Sequence, residues 1–222
     1  MVRRIAITQR IVDSTSYHDP RDALSQDWTV FLSEEFPGAA VLPIPNLLPD
    51  LTAWMTEVIP DLVVLSNGND WGGCPSRDAL EVAILEFAKA HELPVLCVCR
   101  GFQVLAASYG VELSTRLREE TGTAHVAVTH SVALSGPAFI GLAGETDIRV
   151  NSYHNQGVRA SALPKSSNLV PFATSPDGVL EGMHHRTRPI LGIQWHPERP
   201  GGNRAFDSAL ITELVTKGAF WT

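Results

Sequence analysis

Two short stretches of the chain carry residue types and spacings suited to nucleophilic catalysis. Cys99 stands in Pro94-Val95-Leu96-Cys97-Val98-Cys99-Arg100-Gly101-Phe102-Gln103, where an apolar run gives way to a helical pattern. A thiol on such a turn projects above the carboxyl edge of a parallel sheet, and the tight backbone there demands small residues two positions to either side. Gly101 meets that demand, and Cys97 meets it less well than a glycine would. The N–H groups that open the following helix favour the thiolate. A sulfur nucleophile needs a base, and the base needs an orienting acceptor. Ile193-Gln194-Trp195-His196-Pro197-Glu198 supplies both, because alternation along extended backbone puts His196 and Glu198 on one side. Taken singly, the first motif also fits a buried structural cysteine and the second a surface turn. Their joint occurrence favours catalysis. Cys97 and Cys99 match no usual zinc-ligand spacing and have no second Cys or His pair to complete a site, so no metal is expected there. Cys74 sits in a Gly-Gly-Cys-Pro loop with no evident role.

The elements that must position these residues can be read from hydrophobic period. Arg4 to Thr8, Ala40 to Ile44, Leu62 to Ser66 and Pro94 to Val98 read as strands, the last two almost wholly apolar and so covered on both faces. Arg21 to Phe36, Leu51 to Val58, a segment capped by Ser76 and running to His91, and Gly101 to Tyr109 read as helices. Strands alternating with helices predict an α/β fold with a mostly parallel central sheet flanked by helices. The second half changes character. His125 to Leu134, Thr146 to Ser152, Leu169 to Thr174 and Val179 to His184 are strand-like, and Ser175-Pro176-Asp177-Gly178 predicts a hairpin between the last two. Ile190 to Trp195 is a final strand and Ala205 to Lys217 a closing helix, so additional antiparallel strands join the sheet late. One domain over residues 1–222 is expected.

Composition narrows the class. The 222 residues are 44% hydrophobic and 18% charged, enough apolar material to bury a core. A net charge of −7 without a basic run argues against nucleic-acid binding, and no apolar run is long enough to span a bilayer. The N-terminus reads as a strand rather than a signal peptide, and three cysteines suit a reducing cytoplasm.

Together the motifs resemble the class I glutamine amidotransferase-like superfamily, and more closely its gamma-glutamyl-gamma-aminobutyrate hydrolase family. The resemblance also rests on Leu65-Ser66-Asn67-Gly68-Asn69-Asp70 and on Val150-Asn151-Ser152-Tyr153-His154-Asn155-Gln156-Gly157, the latter pointing to the hydrolase branch. It implies a flavodoxin-like fold with Cys99 as nucleophile, His196 as base and Glu198 as its orienter. It further implies an oxyanion hole from the backbone N–H groups of Gly68 and Arg100, and substrate contacts from Asn67, Gln103, Asn151, Ser152, Tyr153, His154 and Gln156. No cofactor is implied. The chain departs from the family where Cys97 replaces a usual glycine and Asn67-Gly68 replaces Gly-Gly. The reaction so implied is thioester-forming hydrolysis of a gamma-glutamyl amide that releases glutamate.

The leaving-group side is read from Thr8 to Asp22, which follows the first strand and so lies at the same edge of the sheet. Arg10, Arg21 and His18 suit an anionic group, and Tyr17 a ring. Fourteen of the seventeen basic residues are Arg, the side chain suited to bidentate phosphate recognition. The segment resembles a branch of the family that acts on gamma-glutamyl-CDP-amidate, which makes a nucleotide phosphoramidate the specific expectation. His125 and His130 either line that pocket or pack in the fold. The partner expected is a small-molecule gamma-glutamyl substrate, with a homodimer compatible with it. A glutaminase subunit serving a separate synthetase, and a non-enzymatic thiol sensor, are the competing readings.

Overall fold

A computed structural model describes residues 2–222. The first half runs β1 (Arg4–Thr8), β2 (Arg10–Val12), β3 (Arg21–Ala23), α1 (Gln26–Glu35), β4 (Ala40–Ile44), α2 (Leu51–Val58), β5 (Leu62–Leu65), α3 (Pro75–His91), β6 (Val95–Val98) and α4 (Arg100–Ser108). The second half continues with α5 (Leu117–Thr121), β7 (Val126–Leu134), α6 (Pro137–Ala143), β8 (Asp147–Tyr153), β9 (Val158–Arg159), β10 (Leu169–Thr174), β11 (Val179–His185), β12 (Ile190–Ile193) and α7 (Arg204–Lys217).

One sheet collects ten strands in the order β4-β1-β5-β6-β12-β11-β10-β7-β8, with β9 paired to β11. The first five are parallel. From β12 onward every pairing is antiparallel, and the turn from Ser175 to Gly178 closes the β10–β11 hairpin. The fully buried runs Leu62–Leu65 and Val95–Val98 occupy the middle of the parallel half because helices cover both its faces. Ile5, Ile7, Val64 and Val98 face α1 and α7, whereas Ala6, Val63, Leu65 and Cys97 face α2, α3 and α4. Pro43 sits within β4 without breaking it, since β4 is an edge strand and the missing N–H costs no ladder bond.

Two expectations require correction. Arg21 lies in β3, not at the start of a helix. Residues 10–12 and 21–23 form a small antiparallel hairpin, and α1 begins only after Ser25, whose Oγ accepts from Asp27 N at 3.4 Å. Ser76 does not cap α3; Cys74 holds the cap position without a side-chain bond, and Pro75 opens the helix, where its missing N–H is tolerated.

Candidate active site

The carboxyl edge of the parallel strands brings the two motifs together. Cys99 joins β6 to α4 with φ 52°, a left-handed conformation that a non-glycine residue adopts only under constraint from its surroundings. Its N–H donates to Ile193 O at 2.8 Å, and its carbonyl accepts from Gln103 N at 3.2 Å. Gly101 is compulsory here: a Cβ at that position would stand 2.3 Å from Leu65 O. Cys97, two residues before the nucleophile position, is wholly buried in the core beside α4, and burial pushes its thiol pKa up. It is a packing residue.

His196 and Glu198 follow β12 and are both buried. His196 Nδ1 lies 2.8 Å from Glu198 Oε1. The backbone of His196 is gripped from β8: its N–H donates to Asn151 Oδ1, and Asn151 Nδ2 donates to its carbonyl, both at 2.8 Å. Burial works against a charged imidazole, but Cys99 and Glu198 outweigh it and raise the His196 pKa to about 9. The raised pKa favours the imidazolium form of the ring, and its Nε2 has no hydrogen-bond partner in the protein.

Asn67 has a part that reasoning from the chain alone missed. Its Nδ2 donates to Glu198 Oε1 at 2.7 Å and lies 3.0 Å from His196 Nδ1. Trp28 Nε1 donates to Asn67 Oδ1 at 3.5 Å, which fixes which way the amide points. Asn67 thus holds Glu198 in place beside the His196 ring. Gly68, the next residue, has φ +84°. Arg77, wholly buried, donates to the carbonyls of Ser66 (2.9 Å), Asn67 (3.1 Å) and Gly68 (2.6 Å), clamping the loop so that its N–H groups point away from the clamp. Arg77 is held in turn by Glu81, which also pairs with Arg100, and Arg100 pairs with Asp78. Burial lowers the two guanidinium pKa values to about 10 and about 9, so both stay charged at neutrality. The one sequence signal for this clamp is the i,i+4 spacing of Arg77 and Glu81.

The other expected substrate contacts divide. Tyr153 meets the His196 ring edge-on at 5.5 Å and carries Arg199 over its own face. The Asn151 amide is fully engaged in holding the backbone from His196 to Pro200. Ser152 is buried with its hydroxyl donated to His125 O. Gln103 Nε2 donates to Gln156 O at 3.0 Å, tying α4 to the loop after β8. His154 turns away to Glu181, as do His125 and His130, so those two histidines do not line a leaving-group pocket. Arg10 lies directly on Gly68, where a Cβ would meet its Nε at 2.7 Å. Arg21 stands at the opposite end of the β2–β3 ladder, exposed and paired with Asp19, and Tyr17 is 62% exposed. The site thus brings together a thiol, an imidazolium and a positioned carboxylate, with a clamped loop and one exposed guanidinium beside them. A cavity of about 1220 Å³ lies elsewhere, at the amino ends of the strands beside Val2, Asp61 and Pro94.

The sequence profile of the Peptidase C26 family matches residues 67–198, a span that includes Asn67, Cys99, His196 and Glu198. The chain is 28% identical over 205 residues to gamma-glutamyl-CDP-amidate hydrolase of Campylobacter jejuni, covering 89% of this chain and 91% of that protein. It is 30% identical over 165 residues to gamma-glutamyl-gamma-aminobutyrate hydrolase of Escherichia coli, covering 68% and 63%. A putative GMP synthase subunit from Thermoplasma acidophilum shares the fold with a TM-score of 0.68 at 18% identity, over 99% of this chain and 95% of that one. A glutamine amidotransferase from Thermotoga maritima does so at 0.60 and 17%, over 96% and 83%. Among the described residues no helix is long and apolar enough to cross a membrane.

Proposed function

We propose, from the premise that the chain belongs to the Peptidase C26 family of gamma-glutamyl hydrolase-like proteins, that it cleaves the amide bond of a small N-substituted gamma-glutamyl compound. The observation that carries this reading is the strained Cys99 turn set beside a His196 whose pKa is raised by that sulfur and by Glu198. The Cys99 thiolate attacks the gamma-carbonyl carbon, and the carbonyl oxygen takes the negative charge. The N–H groups of Gly68 and Arg100 stabilise that oxygen, each donor contributing on the order of 3 kcal/mol in the transition state. As the tetrahedral species collapses, His196 Nε2 gives its proton to the departing nitrogen, and a glutamyl thioester remains on Cys99. His196, now neutral, takes a proton from water, which attacks the thioester and releases glutamate. Glu198 and Asn67 keep the ring in one tautomer and orientation throughout.

The leaving group we assign is a phosphate-bearing amide of the nucleotide phosphoramidate type. The support is Arg10, the exposed guanidinium set on the oxyanion-loop glycine, together with the similarity to gamma-glutamyl-CDP-amidate hydrolase over most of both chains. Arg21, neutralised by Asp19 at the far end of the hairpin, has the lesser part. The test compares the purified chain on a gamma-glutamyl phosphoramidate, a neutral gamma-glutamyl anilide and glutamine. Arg10→Ala should lower kcat/KM on the phosphoramidate by about tenfold or more and leave the anilide nearly unchanged. Equal losses on both would assign Arg10 to the loop rather than the leaving group. Turnover of glutamine alone would replace this reading with a glutaminase subunit.

A further inference from the structure

A second constellation lies in the antiparallel half, outside the catalytic corner. Glu181 on β11 is completely buried, and three histidine nitrogens face the same carboxylate oxygen, Oε1: His125 Nδ1 at 3.6 Å, His130 Nε2 at 3.4 Å and His154 Nε2 at 3.5 Å. None of the three nitrogens and neither Glu181 oxygen has a hydrogen-bond partner, although all are shielded from solvent. Buried polar atoms are rarely left so, and five in one cluster call for a physical cause.

The outer ring nitrogens supply it. His125 Nε2 lies 2.8 Å from Asp177 Oδ2, and His154 Nδ1 lies 2.9 Å from Gln156 O. Both partners are acceptors, so each outer nitrogen carries the ring proton. In the neutral tautomer the inner nitrogens then present bare lone pairs to a carboxylate, a repulsion that either a proton on the rings or a cation between them removes. A histidine whose far N–H is tied to a carboxylate or a carbonyl is the usual supporting geometry of a metal ligand. The contacts of His125 and His130 with Glu181 agree with such a site. Four N and O donors about 2.1 Å from a tetrahedral zinc ion stand about 3.4 Å apart. The donor atoms of His125, His130 and Glu181 all lie within 4.8 Å of one another, and two imidazoles with one carboxylate suit a divalent transition metal.

We propose that His125, His130 and Glu181 bind a divalent transition-metal ion of the zinc type. The site is structural. It would join β7 and the residue before it to β11. It is independent of the proposed hydrolysis, which uses none of these three residues. His130, with 14% of its side chain exposed, marks the side from which the ion enters.

The experiment uses the full chain stripped with a chelator and titrated with zinc against a chromophoric competitor. Metal content is read by mass spectrometry and folding by circular dichroism. About one equivalent should bind and raise Tm, and His130→Ala should weaken uptake by roughly a hundredfold while remaining folded. Cys99→Ala should bind zinc like the unaltered chain. Failure of the unaltered chain to bind zinc would overturn the proposal and leave protonated histidines as the partners of Glu181. Uptake lost with Cys99 but kept in His130→Ala would place the ion at the thiols and overturn it equally.

Discussion

Glu198, just after β12, and Glu181, on the neighbouring β11, are both buried carboxylates with histidine neighbours, yet they are arranged for opposite ends. Around Glu198 the protein supplies donors. Asn67 Nδ2 and His196 Nδ1 converge on Oε1 at 2.7 and 2.8 Å, and Arg199 Nε stands 3.5 Å from the same oxygen. Its charge is thereby spent on orienting one imidazole. Around Glu181 the neighbours at 3.4–3.6 Å are ring nitrogens, and two of their rings have committed their neutral-form proton elsewhere. On the proposed reading, that charge is left for a bound cation. What separates a positioning carboxylate from a metal-binding one is thus where the surrounding protons point.

The sharpest test of this division exchanges the damage. His196→Ala should reduce kcat by at least about a thousandfold, with metal content unchanged. Cys99→Ser should be as severe, whereas Cys97→Gly should remain active, because Cys97 faces the core. His130→Ala should do the reverse, altering metal content and Tm more than the chemical step. Steady-state kinetics and metal analysis on the same preparations decide it. A thousandfold kinetic loss in His130→Ala would mean that the two sites are not separate.

Within the catalytic corner, pH profiles distinguish Glu198 from Asn67. The alkaline limb of kcat/KM should fall near pH 9, where His196 loses the proton it gives to the leaving nitrogen. Glu198→Gln removes a charge that raises the His196 pKa, so the limb should move to lower pH. The loss in kcat should be about 10- to 100-fold smaller than that of His196→Ala. Asn67→Ala removes a donor from Glu198, leaving the carboxylate more strongly directed at the ring, so the limb should move to higher pH with about a tenfold loss in kcat. Shifts in the same direction would break the assignment of Asn67 as a positioning residue.

How much of this could be read from the chain follows the distance over which each feature is determined. The Cys99 turn and the His196–Glu198 pair were legible because short motifs carry their own geometry: Gly101 fits against Leu65 O, and strand alternation puts two side chains on one side. The parallel half was legible because buried strands announce themselves as apolar runs. The β2–β3 hairpin was not, since Asn69, 58 residues from Ile11 in sequence, bonds both its N–H and its carbonyl and holds the edge that local propensity leaves open. Asn67 looked like a tolerable loop residue because its partner lies 131 residues away. The histidines were visible singly. Their convergence was not, because Glu181 reads as one more residue of a β-strand and only the antiparallel packing brings it to them.

A third buried carboxylate extends the comparison with the smallest expected effect. Asp207 on α7 has one close donor, Trp195 Nε1 at 2.8 Å. Burial, with Glu198 and Glu35 nearby, outweighs that bond and the charge of Arg204, and raises its pKa from 3.8 to about 7. Lacking the donors of Glu198 and the histidine cage of Glu181, this group meets its burial by taking up a proton. Between about pH 4 and pH 7 the folded state holds a proton that the unfolded chain has released, so stability falls as pH rises through that window and the loss is complete above about pH 7. Asp207→Asn keeps an oxygen for the Trp195 N–H and removes the titration. The variant should match the unaltered chain in urea denaturation near pH 4 and exceed it at pH 8, by a margin on the order of 4 kcal/mol before relaxation reduces it. A margin independent of pH would show that Asp207 is ionised throughout and that donors from the protein, not a proton, answer its burial.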